Sequence, residues 1–375
     1  MIRINNISVP LDFKFTDENL INISADELKI KSSGIKSAKL SKKSVDARKK
    51  NKICFVISVD TELENNLNEE KIIAKNKNTV KAEKYTYQIN HIKPPEKRPV
   101  IIGFGPAGMF ASLVLAESGA NPIVLERGSD VDSRKKAVEN FWNNGILDEN
   151  CNVQFGEGGA GTFSDGKLTT GTKDPRIRYI LESFVKFNAP EEILYLAKAH
   201  IGTDKLIDVV KNLRNYVISK GGEVKFNSRF DKFDISDGKI KGIWYNGNQY
   251  IETDNVILAT GHSARDTFEM LYDLKLPIEA KPFSVGARIE HLREKVDKAQ
   301  YGRFAGNKKL GSANYKLSTH LDNGRGVYTF CMCPGGKVVN ASSEENRLCT
   351  NGMSEFARDA ENSNSALLVG INPDD

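Results

Sequence analysis

One stretch constrains the fold more than any other: VIIGFGPAGMFASLVLAESGANPIVLERG, from Val100 to Gly128. An apolar run is followed by Gly103-x-Gly105-x-x-Gly108, an uncharged helical run, and a second apolar run ending at Glu126. Gly103 lets the chain turn sharply out of a strand. Gly105 leaves space for a pyrophosphate at the helix N-terminus, where free N–H groups and the helix dipole stabilise anions. Gly108 lets the helix lie close on its sheet. Glu126 falls 23 residues after Gly103, near the spacing of about 20 at which a carboxylate meets ribose hydroxyls. An acid there favours a free ribose 2′-hydroxyl over a 2′-phosphate, although Arg127 is adjacent. The order strand, turn, helix, strand, acid predicts a doubly wound α/β unit that binds a dinucleotide, with NAD and FAD both open at this point.

The same region could mislead a hydropathy scan. Pro99–Ala116 has no charged residue, close to the length of a membrane span. Pro99, Gly103, Gly105, Pro106 and Gly108 would interrupt such a helix repeatedly. We therefore expect no membrane segment. Five cysteines in 375 residues do not make a disulfide scaffold, and no secretory leader is read, so a cytoplasmic protein is expected. The formal charge of +5 is unevenly spread. Residues 1–98 hold 20 Lys/Arg against 13 Asp/Glu, and the remainder holds 34 against 36. The excess belongs to the front of the chain.

Residues 1–92 read as a small α/β unit. Strands are expected at Met1–Pro10, Ser37–Ala47, Ile53–Glu62 and Val80–Ile89, with helical stretches at Asp17–Ile30 and Asn68–Lys75. That order, β-α-β-β-α-β, predicts a ferredoxin-like domain. Residues 93–99 form a linker within the proline-rich HIKPPEKRP. Residues 100–280 read as the dinucleotide-binding domain, with a helix at Thr203–Lys220 and strands at Pro122–Glu126, Glu223–Phe226, Lys239–Tyr245 and Asn255–Ala259. Residues 281–375 turn to short β-like runs and read as a β-rich substrate domain.

Two downstream features separate the cofactors. Asn152–Leu168 (NVQFGEGGAGTFSDGKL) has five glycines in 17 residues, which suits close backbone approach to a large ligand. Thr162 and Ser164 add hydroxyls, and Lys167 adds a cation. Val256–Gly261 (VILATG) is an apolar strand ending in small residues, followed by His262, Ser263 and Arg265. A single-nucleotide NAD domain explains neither feature.

Together, GFGPAG, LERG, the glycine-doublet loop and the ATG strand end resemble FAD-binding proteins with two dinucleotide-binding domains. FGEGGAGTFSDGKLTT, HIGTD, ATGHSARDTFEML, KPFSVGARIEH and YTFCMCPGG resemble, more closely, the bacterial uncharacterised FAD-dependent dehydrogenases, sometimes described as NAD(FAD)-utilizing. The resemblance runs along the whole chain, SKKSVDARKK included. It implies FAD held by Gly103, Gly105, Pro106, Ala107, Gly108, Glu126 and Arg127. By the same likeness, Gly158, Gly159, Gly161, Thr162, Ser164, Asp165, Gly166 and Lys167 would face the pyrophosphate and isoalloxazine. Phe230 would meet the adenine, and Thr260–Gly261 would pass beside the cofactor. The implied activity is an FAD-dependent oxidoreductase acting on a small molecule, with NAD(P)H as a transient electron donor. Relatives of this type continue further and return to the first domain with a glycine-rich segment, so the chain is expected to lack the last part of that fold.

Four further candidates have a chemical and a plain reading. His262 could donate a proton to substrate or flavin, or cap a local turn. Cys331 and Cys333 could be a redox pair, or buried thiols lining a pocket; their CxC spacing with isolated His320 and Cys349 excludes a zinc site. Arg288, Glu290 and His291, in an expected strand, could line a pocket, and a solvated strand face is the plainer reading. The run of residues 36–52, with eight Lys/Arg and only Asp46 against them, could attract nucleic acid. It lacks aromatics for base stacking, and a solvated hairpin is the plainer reading.

Overall fold

The computed structural model describes residues 1–375. In the first unit, β1 (Ile2–Val9) leads into α1 (Asp17–Leu28), then β2 (Ile35–Asp46), β3 (Cys54–Leu63), α2 (Glu69–Lys75) and β4 (Thr79–Lys81). The strands lie in the order β2-β3-β1-β4, all neighbours antiparallel. The Thr16 hydroxyl accepts from the Asn19 N–H and caps α1, with Asp17 and Glu18 in its first turn. Leu20, Ala25 and Leu28 of this helix bury against Ile4, Phe55, Ile57 and Val59 of the sheet. β4 stops at Lys81 rather than running to Ile89, and no helix or strand follows until residue 100. The expected alternation has no buried face there: Val80 and Tyr85 are exposed, and Tyr87 instead packs on Tyr179, ring centroids 4.8 Å apart.

The second unit contains β5 (Val100–Ile102), α3 (Pro106–Ser118), β6 (Ile123–Leu125), α4 (Val131–Asn144), α5 (Ile177–Lys186), α6 (Thr203–Ser219) and β7 (Glu223–Lys225). An antiparallel ribbon follows, β8 (Phe230–Ser236), β9 (Lys239–Tyr245) and β10 (Gln249–Glu252), then β11 (Val256–Leu258) and α7 (Arg265–Asp273). β11-β5-β6-β7 form a parallel sheet. Its central strands β5 and β6 are buried throughout and accordingly carry only apolar residues. The apolar stripe of α6 (Leu206, Val209, Val210, Leu213, Val217) packs against Met109, Leu113 and Ala116 of α3. Each such side chain contributes about 1.5–3 kcal/mol by leaving water.

The third unit comprises β12 (Phe283–Leu292), α8 (Arg293–Tyr301), β13 (Ser318–His320), β14 (Gly326–Cys333), β15 (Lys337–Asn340), β16 (Thr350–Met353) and β17 (Asn362–Ile371). Its main antiparallel sheet has the order β12-β17-β14-β13, with β15 and β16 as a separate ladder. The molecule is thus mixed α/β, with one parallel sheet among antiparallel ones. No helix is long and apolar enough to cross a membrane.

The basic strand β2 is tied to the second unit. Lys43 N–H donates to the Tyr195 carbonyl, and Ala197 N–H donates back to the Lys43 carbonyl. The Lys43 ammonium sits over the rings of Phe15 and Phe55. Ile53 completes an apolar cluster with Val296, Tyr301, Leu310, Ala313 and Met332 of the third unit. The neighbouring Lys36, Lys39, Lys42, Lys49, Lys50 and Lys52 remain exposed, and Arg48 pairs with Asp46 at 2.6 Å.

Candidate functional site

The parallel sheet creates a crevice by its topology. From β5 the chain proceeds to β6 and β7 on one side, then returns to place β11 on the other. Loops leaving β5 and β11 therefore diverge, and a ligand site is expected at the carboxyl ends of these strands. A cavity of about 340 Å³ lies there. Its wall includes Ile102, Gly103, Gly105, Pro106 and Ala107 after β5, and Leu125, Glu126 and Arg127 after β6. Ala259, Thr260, Gly261, His262 and Ser263 follow β11, and Gln154, Phe155, Gly156, Gly159, Ala160 and Gly161 come from the glycine-rich loop.

The glycines divide by physical role. Gly103 has φ +98°, and a Cβ would lie 2.4 Å from the Ala259 carbonyl oxygen, so the fold itself requires glycine. A Cβ on Gly108 would meet the Gly103 oxygen at 1.9 Å. Gly105 is different. Its backbone is extended, and the nearest neighbour of an added Cβ is the Gly159 Cα at 3.7 Å, an ordinary contact. The bare backbone at 105 leaves open the N-terminus of α3, which begins at Pro106 with no side-chain cap. Those first N–H groups lack helical partners and suit an anion. Added Cβ atoms at Gly161 and Gly261 would also meet open space. The cradle thus fits a dinucleotide, because its glycines keep space free that the protein does not fill.

Glu126 is only 4% exposed. Its carboxylate accepts from Phe104 N–H at 2.7 Å, Gly156 N–H at 2.9 Å and Gly128 N–H at 3.0 Å. It therefore locks three loops together while still lining the cavity, a role beyond the expected ribose contact. Arg127 turns to Asp266 of α7, with its Nη2 2.8 Å from each carboxylate oxygen, and its guanidinium covers the Phe155 ring.

Behind this wall lies a residue that sequence reasoning missed. Arg134 of α4 is fully buried and donates to the carbonyls of Asn152, Val153, Gly156 and Glu157. Burial pulls its guanidinium down to about 10. It nucleates the loop 152–157 as a cation would, by gathering carbonyl oxygens. Glu157, also buried, accepts from Val131 N–H and from Arg214 Nη1 at 2.9 Å, and burial raises its carboxyl. Nothing in the local sequence marks either residue as buried.

Of the residues expected at the cofactor, the cavity gathers Gly103, Gly105, Pro106, Ala107, Glu126, Arg127, Gly159, Gly161, Phe230, Thr260 and Gly261. His262 is on the wall too and exposed. Gly108, Gly158, Thr162, Ser164, Asp165, Gly166 and Lys167 are not on it. Gly158 and Thr162 pack on each other behind the loop, and Ser164 offers its carbonyl to the Thr203 hydroxyl. Cys331 and Cys333 also lie off the wall, beside Lys167. Gln154, Phe155 and Gly156, from the glycine-rich stretch expected near the ligand, also line the cavity, and Ser228 and Thr267 line it without having been expected there.

Asp165 is wholly buried and paired with Arg358 and Lys167. Burial alone would raise its carboxyl, but the Arg358 hydrogen bonds and the Lys167 charge outweigh it, so the net shift is downward. An acid held below its ordinary value stabilises the fold above about pH 3.9 and loses that contribution as pH falls through the depressed value. Asp165→Asn should be less stable at neutral pH and flatter towards acid, measured as urea midpoint against pH. Parallel curves for the two proteins would contradict this.

A second hollow of about 520 Å³, mostly apolar, lies between α8 and the third unit's sheet and shares no lining residue with the first.

Residues 282–375 match the family described as FAD-dependent protein, C-terminal domain-like, and residues 1–62 match a domain of unknown function, DUF8436. An uncharacterised protein of Clostridium beijerinckii is 46% identical over 380 residues, covering 100% of this chain and 70% of that protein. Solved structures are more distant. Thermovibrio ammonificans THI4 is 16% identical, covering 48% of this chain and 64% of its own, with TM-score 0.31. P. aeruginosa PqsL in complex with 2-aminobenzoylacetate is 11% identical, covering 74% and 61%, with TM-score 0.35. The halogenase PltM in complex with phloroglucinol and FAD is 12% identical, covering 74% and 52%, with TM-score 0.37. The chain thus spans between half and two thirds of these solved proteins. Its cofactor is FAD, as the family match over residues 282–375 gives and as the open glycine cradle accommodates. At 46% identity over its whole length, the chain belongs to the same family as the uncharacterised Clostridium beijerinckii protein.

Proposed function

We propose that the protein is an FAD-dependent oxidoreductase of the dehydrogenase type acting on a small-molecule substrate. In this reading residues 100–280 are a Rossmann-type FAD domain. The β-α-β-β-α-β unit in front is ferredoxin-like, and the unit from residue 281 is the substrate domain. The observation that carries it is the cavity at the carboxyl ends of β5, β6 and β11, where Gly161 and Gly261 face open space and a Cβ on Gly105 would meet only one ordinary contact. Bound FAD would supply two-electron hydride exchange at the flavin N5.

The chain's own residues supply the rest. The uncapped α3 N-terminus would hold the pyrophosphate. Glu126, by fixing Phe104, Gly128 and Gly156, would hold the cradle in shape for the ribose. Phe155 and Phe230 provide apolar wall, and His262 on the exposed part of that wall would deliver a proton to substrate. The second G-x-G-x-x-G, Gly156–Gly161, follows no strand and opens only a short 3-10 turn rather than the helix of a strand–turn–helix unit, so NAD(P)H would act as a transient donor without a domain of its own.

The test is the visible spectrum of the purified chain, followed by anaerobic NADH or NADPH. We expect a yellow protein near one FAD per chain, bleached by one of the two nucleotides. A colourless protein that takes up no added FAD would defeat the reading. A yellow protein that neither nucleotide reduces would remove the nicotinamide donor alone.

A further inference from the structure

Away from the cavity, the fold assembles a thiol pair inside a cationic pocket. β14 slips register against β17 between Phe330 and Cys333, and Cys331 sits at φ +45°, in the left-handed region. The two cysteines therefore do not follow regular strand spacing. Both sulfurs turn to one ammonium: Lys167 Nζ is 3.4 Å from Cys333 Sγ and 3.7 Å from Cys331 Sγ. Cys333 is fully buried and Cys331 half-buried.

The charges around the pair do not cancel. Arg358 binds Asp165, which also pairs with Lys167 at 2.8 Å. Arg288 was expected on a solvated face. Instead it turns inward, donating to the Cys331 carbonyl and to Asn364 Oδ1 at 2.6 Å, with no carboxylate partner. Three cations thus face one carboxylate. No third thiolate, imidazole or carboxylate completes a metal site.

We propose that Cys331 and Cys333 form a thiol–disulfide exchange site for a small, carboxylate-bearing disulfide, with Lys167 and Arg288 holding the attacking thiolate. Cys331, the more accessible sulfur, attacks one sulfur of the disulfide. A mixed disulfide forms and one thiolate leaves. Cys333 then loses its proton to the departing thiolate and attacks Cys331, expelling the second thiolate, which takes a proton from water. The protein pair is oxidised by two electrons to an intramolecular disulfide, and the substrate is reduced to two thiols. The thiol chemistry agrees. The hydrogen bond from Cys333, aided by Lys167 and Arg288, pulls Cys331 down to about 5, and the same contact pushes Cys333 up. The proposal does not rest on the flavin.

Both cysteines fall on one tryptic peptide, Gly326–Lys337, which makes the test direct. The reduced full chain is treated with oxidised glutathione, digested, and its residual thiols alkylated. The peptide should emerge lighter by two hydrogens and unalkylated. Cys333→Ser should instead retain one glutathionyl group on Cys331. Lys167→Met, folded by circular dichroism, should react about tenfold more slowly at mildly acidic pH, where an unassisted thiol is protonated. Cystamine, a cationic disulfide, should react more slowly than glutathione. A peptide that still accepts two alkyl groups after excess oxidised glutathione would overturn the site, and cystamine closing it as fast would overturn the anionic specificity. A colourless protein that takes up no added FAD yet closes this disulfide would sink the flavin reading and leave this one standing.

Discussion

Gly105→Val should lose bound FAD while keeping its fold. The position has extended backbone, and an added Cβ would touch only the Gly159 Cα, at ordinary contact distance. The side chain would instead occupy space beside the uncapped α3 N-terminus, where the pyrophosphate must come close. We expect at least about a hundredfold weaker binding, or about 2.8 kcal/mol, read by titrating the apoprotein with FAD. The thermal midpoint of that apoprotein should barely move. Gly103→Val makes the contrast, because its left-handed φ and the Ala259 carbonyl at 2.4 Å make glycine a requirement of the fold. That variant should lose both stability and flavin. Full FAD occupancy in Gly105→Val would refute the assignment of the cradle.

Arg134→Met is expected to produce the largest loss of stability, about 3–5 kcal/mol, the range for removing one partner of a buried charged group. Methionine has similar reach and fills the space, so the loss reports on hydrogen bonds rather than on a void. The buried carbonyls of Asn152 and Val153 would be left without a donor, and those of Gly156 and Glu157 would keep only the Gly159 N–H and the Thr162 hydroxyl. Lysine should rescue little, because one ammonium cannot reproduce the planar fork. Gln154, Phe155 and Gly156 line the cavity from this loop, so FAD affinity should fall together with stability. The measurement is urea unfolding of the apoprotein. A change below about 1 kcal/mol would show that the loop holds its shape without the guanidinium.

These two residues also show what could be read in advance. The Gly103–Gly108 turn was legible because each glycine answers a local demand, and the strand, helix and acid around it repeat the message. The α6 stripe was legible for the same reason, since the 3.6-residue period places Leu206, Val209, Val210, Leu213 and Val217 on one face. Arg134 was not, because arginine is ordinarily a surface residue and its partners are backbone carbonyls, which carry no residue identity. β4 was overextended by reading alternation where no second buried face existed. Lys167 was expected at the flavin; it meets Cys331 and Cys333 instead, across more than 160 residues of sequence.

The sequence by itself determined the dinucleotide turn, the position of its acid and the helix faces, set by sterics and periodicity within about thirty residues, and the basic front, set by charge composition. Tertiary structure alone decided that Glu126 would clamp three loops, that Arg134 would be buried, and that Arg288 would turn inward. It alone brought a lysine to two cysteines. Those outcomes depend on which backbone groups lose water together, and that is settled only when distant segments pack.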